Sequence, residues 1–339
     1  MIASRALYNA AQSTDKTFLT REELEEHCES SVRNRLQVDH PDFKLIYKGC
    51  ILRFPFTRCV SEIETFQANL GDICIASYPK TGQTMMGAMA LMTLRDGDPM
   101  TFQTGAPLKM KVPYLEDAYP RNGSFVDPIF PIRHLKSLEG PRLYGTHLNA
   151  TALPEQLLQT AKILFVYRNP KDTIISAYHF MLSGATVCGR AENLSDFIQA
   201  FIAEDGGLNP YFDHLESFWS RRSQSNIHVT SFETVVTDRT AATRKLGLFL
   251  GKCLTDTQVG MIVFQCSFQE MKKNPLTDCS QIAKSFGADA NANPFLRAGK
   301  IGNWLDYLSV EQNEQIDNWV EHNFARRPAL SGLTFQYEP

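Results

Sequence analysis

The sequence contains no C-x-x-C pair, no Gly/Ser/Pro-rich linker, no internal repeat, no uninterrupted apolar run of membrane-helix length and no excess of basic residues. Each absence removes a class of protein. The eight cysteines, Cys28, Cys50, Cys59, Cys74, Cys188, Cys253, Cys266 and Cys279, are scattered without zinc or redox spacing, so reduced thiols are expected rather than a disulfide framework. Without repeats or linkers, one large α/β domain is the simplest organisation for 339 residues. No transmembrane helix is expected. The first thirty residues lack a basic stretch followed by a sustained apolar core, so they do not read as a secretory signal, and a cytoplasmic protein is expected. A formal charge of −3 argues against nucleic acid or a membrane surface as partner. Any anion must therefore be held by a local arrangement. No G-x-x-x-x-G-K-[ST] loop is present, and no His/Cys/Asp cluster has metal-ligand spacing, so no metal is expected.

What is present is an alternation of strand-like and helix-like segments. "ICIASY" is followed by "MMGAMALMTL", "KILFVYR" by "DTIISAYHFML", and "NIHVTSFE" by "RTAATRKLGLFLG", an amphipathic helix ending at Gly251. This order predicts a single α/β domain with a central parallel β-sheet flanked by helices. "KLIYKGCILRF" reads as two short strands meeting at Lys48-Gly49. "SVEQNEQIDNWVEHNF" reads as a helix capped by Ser309, with Glu311 and Gln312 in its first turn. Residues 1–40 read as a partly helical N-terminal extension, with "TREELEEHCESS" a helix capped by Thr20, and 41–339 as the domain. The polar stretch from Ser267 to Gly302 reads as a long ordered loop, a feature that is usually functional.

Two strand-to-helix junctions are basic. After "ICIASY" come Tyr78, Pro79, Lys80, Thr81, Gly82, Gln83 and Thr84. Ligands of parallel sheets sit outside the carboxyl ends of the strands, where the next helix presents unpaired amides and the positive end of its dipole. Lys80 adds a charge, Thr81 and Thr84 add hydroxyls, and Gly82 admits close approach to the backbone. This is a phosphate cradle, with a capped turn and a solvated lysine as the alternative. After "KILFVY" come Arg168 and Lys171, with Ser176 in the following helix. Arg168 is suited to bidentate phosphate binding, or alternatively to an ion pair with Asp172. Two such junctions in one sheet point to a ligand with two anionic ends.

With these residues in view, the chain resembles the cytosolic sulfotransferases. "SYPKTGQT" resembles that family's P-loop-like Y-P-K-[ST]-G-T-[TS] segment, and "YRNPKDTIISAYHF" its R-N-x-K-D-x-x-x-S-x-x-H-F segment. "FLRAGKIGNWLDYLSVEQNEQID" is similar to R-K-G-x-x-G-[DN]-W…T-V-x-Q-N-E, "GTHLNATALPEQL" to K-T-H-L-P…L-P, and "SFQEMKKNP" to a further family stretch. The matches run in order from about Tyr47 to the C-terminal helix.

The resemblance implies a donor, 3′-phosphoadenosine 5′-phosphosulfate (PAPS), a bisphosphate product (PAP), a small-molecule acceptor and no metal. Lys80, Thr81, Gly82, Gln83 and Thr84 would hold the 5′-phosphosulfate. Arg168 and Ser176 would hold the 3′-phosphate, with Arg297, Ala298 and Gly299. Met85, Phe232, Cys266 and Phe268 would surround the adenine. His147 would be the general base and Lys80 would neutralise charge on the leaving oxygen, while Tyr114, His147 and Val187 would face the acceptor. Taken alone, His147 would read as a loop or buried hydrogen-bonded residue, and His179 reads as structural.

Some positions depart from the family pattern. Met85 replaces a tryptophan, Gln83 a threonine, Phe232 a tyrosine and Cys266 a threonine, while Gly145 and Ala298 each replace a lysine. The dimer motif survives as Leu305, Ser309, Val310 and Glu314 without its lysine, which leaves a homodimer open. Apolar residues such as Met110, Tyr114, Leu115 and Val187 favour a lipophilic alcohol, phenol or amine as acceptor. Two other readings stand beside enzymatic sulfuryl transfer. One is a weakened, nucleotide-binding family member; the other, a phosphoryl transferase, would need Mg²⁺ ligands that the sequence does not display.

Overall fold

In a computed structural model, residues 37–40, 44–53, 60–116, 120–121, 124–125, 130–182, 191–204, 208–278 and 294–339 are described. The expected Thr20-capped helix, the expectations for residues 1–36, and Val187 lie outside them. Strands β1 (Gln37–His40), β2 (Lys44–Tyr47) and β3 (Cys50–Arg53) form a small antiparallel sheet. Lys48 and Gly49, with φ of 48° and 81°, make the β2–β3 turn, where both central residues must be left-handed and glycine is at ease. Because β1 pairs with β2, the strands on either side of the expected boundary at residue 40 belong to one sheet.

The central sheet is parallel, as expected. It contains β4 (Ile73–Ser77) and, after a two-residue ladder of β5 (Pro120–Arg121) and β6 (Ser124–Phe125), the strands β7 (Leu143–Thr146), β8 (Lys162–Tyr167) and β9 (Ile227–Ser231). Their spatial order is β7-β4-β8-β9. Every residue of β4 is buried, so its apolar run does not alternate with polar residues. Alternate side chains feed two cores: Cys74, Ala76, Ile163 and Phe165 on one face, Ile73, Ile75, Leu164 and Val166 on the other. The base of the sheet is pinned by Asp72 and Arg142, both buried, with Arg142 Nε 3.0 Å from Asp72 Oδ2.

Helix α1 (Gln83–Leu94) follows β4, and α2 (Pro170–Leu182) follows β8. Helix α3 (Arg239–Leu250) ends at Gly251 in the left-handed region, φ 79°, where the Lys252 amide donates to the Gly247 carbonyl at 2.8 Å. The stretch from Ser267 is not one long loop: Phe268–Lys273 forms a short helix, α4, whose N-terminus is capped by Ser267 accepting from the Glu270 amide. That cap is a Ser-x-x-Glu signature that the polar composition obscured. The last helix, α5 (Val310–Arg326), carries the capping box expected of Ser309 and Gln312.

Candidate active site

The chain runs from β4 outward to β7 and then returns to β8 on the other side, so the β4/β8 pair is the topological switch point of the sheet. Both basic junctions open at its carboxyl end. They are tied together by Thr81, whose hydroxyl lies 2.7 Å from the Tyr78 carbonyl and 3.1 Å from the Val166 carbonyl. Thr81 is fully buried, so its hydroxyl faces into the fold and not toward a ligand, contrary to expectation. Gly82 precedes α1 with φ 113°, a conformation closed to other residues, and no side chain caps the helix behind it. The amides of that first turn are left without a side-chain cap, an arrangement suited to an anion, beside the half-buried Thr84.

Gln83 departs from its expected role as well. Its side chain turns back into the sheet, where Nε2 donates to the Ile75 carbonyl at 2.9 Å. Lys80 also has a left-handed backbone, φ 73°. Its ammonium lies between two rings, 4.4 Å from the centroid of Phe180 at the end of α2 and 4.3 Å from that of Phe295 in the late segment.

His147 follows β7. Its Nδ1 is 2.7 Å from the Ser77 carbonyl, which can only accept, so Nδ1 carries the proton and Nε2 the lone pair. Glu116 accepts from the His147 amide and, at 2.9 Å, from the Thr146 hydroxyl. Burial pushes the imidazole pKa down to about 3, and the charges of Lys109 and Lys80 add to that. Tyr114 meets His147 edge to face, with centroids 4.9 Å apart, and Lys109 Nζ lies 2.8 Å from the Tyr114 centroid.

The second junction forms a basic pocket. Arg168, 7% exposed, pairs with Asp172 at 3.4 Å and donates to the Lys300 carbonyl at 2.9 Å. The ion-pair alternative is therefore realised, yet the guanidinium is not exhausted by it. Its Nε is buried with no hydrogen-bond partner among the described residues. Burial lowers the pKa values of both Arg168 and Arg297, and Arg297 lowers that of Arg168 further by like-charge repulsion. An orphaned donor beside a second cation is what a bound anion would satisfy. Ser176 is half-buried on α2, next to this pocket in sequence. Arg297 donates to Asn303 and, at 3.1 Å, to the Tyr307 hydroxyl. Lys300 points away and pairs with the exposed Asp306.

Between the two basic junctions lies an apolar group. Phe232 carries the Arg168 guanidinium on its face at 4.2 Å, and a Cβ on Gly82 would stand 3.1 Å from the Phe232 ring and 3.6 Å from Met85. Gly299, φ 61°, lies so close to the Phe268 ring that any Cβ would overlap it. Cys266 is buried, and burial pushes its thiol up to about 12, so it stays neutral. Ala298 is half-buried and contributes no polar group to the pocket. Of the expected site residues, the structure thus groups Gly82, Met85, Arg168 and Phe232 in one cluster and His147 and Tyr114 in another, with the charge of Lys80 felt at His147.

Ser77, Lys109, Glu116, Phe180 and Phe295 were not singled out in the sequence as contributors to this site. Single residues of common type, brought in from separate segments, leave no local pattern to read. Asp172 was read only as an ion-pair partner, although it also accepts from the Gly302 and Trp304 amides at 2.9 and 3.0 Å. The positions of the dimer motif are on the surface, with Leu305, which stands in place of its lysine, 56% and Val310 69% exposed. Among the described residues there is no cluster of potential metal ligands, and no helix is long and apolar enough to cross a membrane.

The chain is similar to known proteins in both sequence and fold. The chain is 30% identical to sulfotransferase 1B1 of Mus musculus over 297 residues, 87% of this chain and 94% of that protein. It is 31% identical to sulfotransferase 1A1 of Bos taurus, covering 86% and 95% of the two chains. Its fold resembles that of retinol dehydratase in complex with androsterone and the inactive cofactor PAP, with a TM-score of 0.73 at 22% identity, over 87% of this chain and 90% of that one. Mouse sulfotransferase SULT7A1 complexed with PAP gives 0.63 at 24% identity, over 82% and 94%. The sulfotransferase-domain profile matches residues 70–328, which include both basic junctions and His147. The chain belongs to the sulfotransferase family.

Proposed function

We propose that this sulfotransferase moves the sulfuryl group of PAPS to a hydroxyl or amine of a small lipophilic acceptor, with His147 as general base. The observation that carries the reading is the tautomer of His147. The Ser77 carbonyl holds the proton on Nδ1 and leaves Nε2 as a lone pair. Nε2 therefore accepts the acceptor's proton as the oxygen or nitrogen attacks.

PAPS, when bound, supplies the sulfuryl group and departs as PAP. The residues fit such a bisphosphate. The amides before α1 and Lys80 receive the phosphosulfate end, and Arg168, with its orphaned Nε, Arg297 and Ser176 receive the 3′-phosphate. Phe232, Met85 and Phe268 offer apolar surface to the base, without the hydroxyl and indole of the family pattern. Lys80 neutralises negative charge on the leaving oxygen, so positioning and electrostatics carry most of the rate. With burial and the nearby lysines holding its pKa down at about 3, the His147 imidazole by itself is a weak base. Anionic charge gathered by Lys80 offsets the lysine charges, the smaller causes of that low pKa, while burial, the largest, stays in place. Tyr114 forms an aromatic wall beside His147. A lipophilic acceptor suits this wall, and the retinol and androsterone complexes of fold neighbours support that class.

The test is His147→Ala. Transfer should fall by about 10²- to 10⁴-fold, while PAP stabilises wild type and variant equally in a thermal-shift assay. Loss of PAP binding in the variant would show that the imidazole shapes the donor site and is not the base.

A further inference from the structure

Gly145 lies on β7, two residues before His147, and is in register with Ile75 of β4. A Cβ there would overlap Gln83 Nε2 and stand 2.8 and 2.9 Å from two carbons of the Tyr114 ring. The space that any other residue would occupy is thus filled from both sides. Gln83 enters it from the first turn of α1. Tyr114 enters from a segment that runs beside β7, where the Gly145 amide donates to Pro113 at 2.8 Å and the Leu115 amide donates to Gly145 at 2.9 Å.

Gln83 is 5% exposed, and its Oε1 has no hydrogen-bond partner among the described residues. Burying an amide with one end unpaired is unfavourable, so neither local preference nor complete hydrogen bonding explains the position of this side chain. Shape does. Nε2 is anchored to the Ile75 carbonyl, and the amide borders the same Cβ-sized space as the Tyr114 ring, which packs edge to face against His147.

We propose that Gln83 is a positioning residue: its amide, seated in the space left by Gly145, backs the Tyr114 ring and so sets the orientation of His147 and of the acceptor wall. For the role of His147 this rests on the function proposed above. Gln83 also begins the helix that carries the anion-binding amides. One buried contact therefore links the donor loop to the acceptor side: the side chain of Gln83 acts on the acceptor half of the reaction, while its backbone stays in the donor loop.

The experiment is a cycle of Gln83→Ala, Gly145→Ala and the double variant, with PAPS and 4-nitrophenol as probes. Gly145→Ala should lower kcat by about ten- to a hundredfold, the scale of a small misplacement of reacting groups, with KM for PAPS within about twofold. The double variant should recover part of that loss, since removing the amide clears one overlap and gives the Tyr114 ring room to shift away from the methyl. Gln83→Met, which refills the space without the amide, should recover part of what Gln83→Ala loses. In parallel, the His147 Cε1–H resonance, assigned by its loss in His147→Ala, should shift in each single variant and return toward the wild-type position in the double. Additive losses in kcat, an unmoved resonance, or a loss confined to KM for PAPS would each overturn the proposal. Should wild type transfer nothing to 4-nitrophenol, the functional reading fails for that acceptor, and the resonance cycle on PAP-loaded protein still decides the positioning role.

Discussion

His214 is packed among aromatic rings, with centroids of Tyr78, Phe165 and Phe218 at 5.7, 6.0 and 5.3 Å, and neither of its nitrogens has a hydrogen-bond partner among the described residues. Burial pushes its pKa down to about 3, so the native protein keeps it neutral while the unfolded chain protonates it near 6.5. Stability linked to this group is complete above that value and is lost as the pH falls toward 3. Between pH 7.5 and 5.5 the linked loss is about 1.4 kcal/mol. Urea unfolding at the two pH values should therefore separate wild type from His214→Phe, with the variant losing less stability by about that amount. His147 adds a loss of the same sign. Arg168 gives a second prediction at this scale. Arg168→Ala should weaken PAP by about tenfold or more while barely changing AMP, as read by calorimetric titration, because only the former carries the 3′-phosphate. Lys80 and Arg168 were legible in the sequence as anion-binding candidates because lysine and arginine at strand ends have recognisable chemistry, whereas His147 stood out only through the family resemblance and alone would pass for a loop or buried residue. The inward turn of the Thr81 and Gln83 side chains was not legible, since a loop motif states residue types but not the neighbours that claim their polar groups.

The late segment, residues 294–304, is held to the second junction by Asp172. That one carboxylate receives the Gly302 and Trp304 amides, the Asn169 side chain at 3.1 Å and the Arg168 guanidinium. Asp172→Ala leaves a buried cation and two amides short of a partner. It should cost about 3–5 kcal/mol in urea unfolding and weaken PAP more than AMP, because Arg297 and Gly299 lose their anchorage. Strands and helices of the core were read correctly from their apolar runs, as with β4 and α1. The segment after Ser267 was misread, because a six-residue helix is too short to establish a helical period and its cap was hidden in polar sequence.

Across the whole molecule, the sheet is secured at the end opposite the site. Asp72 and Arg142 form a buried pair there, and Arg142 also donates to the Leu135 and Gln67 carbonyls. Removing one partner strands the other, so Arg142→Ala should destabilise the fold by about 3–5 kcal/mol in chemical denaturation while leaving the affinity of the remaining folded protein for PAP unchanged. The parallel sheet was legible from the alternation of elements, but the strand order β7-β4-β8-β9 was not, since pairing between distant strands leaves no mark in local composition.

The bridge that Thr81 makes to Val166 spans 85 residues of chain, and the one from Arg168 to Lys300 spans 132. Closures of this length are made late, after most of the chain has collapsed. The proposed nucleotide site depends on both closures and is expected to be completed after the folding transition state. A ligand that acts only there slows unfolding without hastening folding. In stopped-flow experiments saturating PAP should leave the refolding arm where it is and lower the unfolding arm, so occupancy by nucleotide prolongs the lifetime of the enzyme and gives no help to its birth.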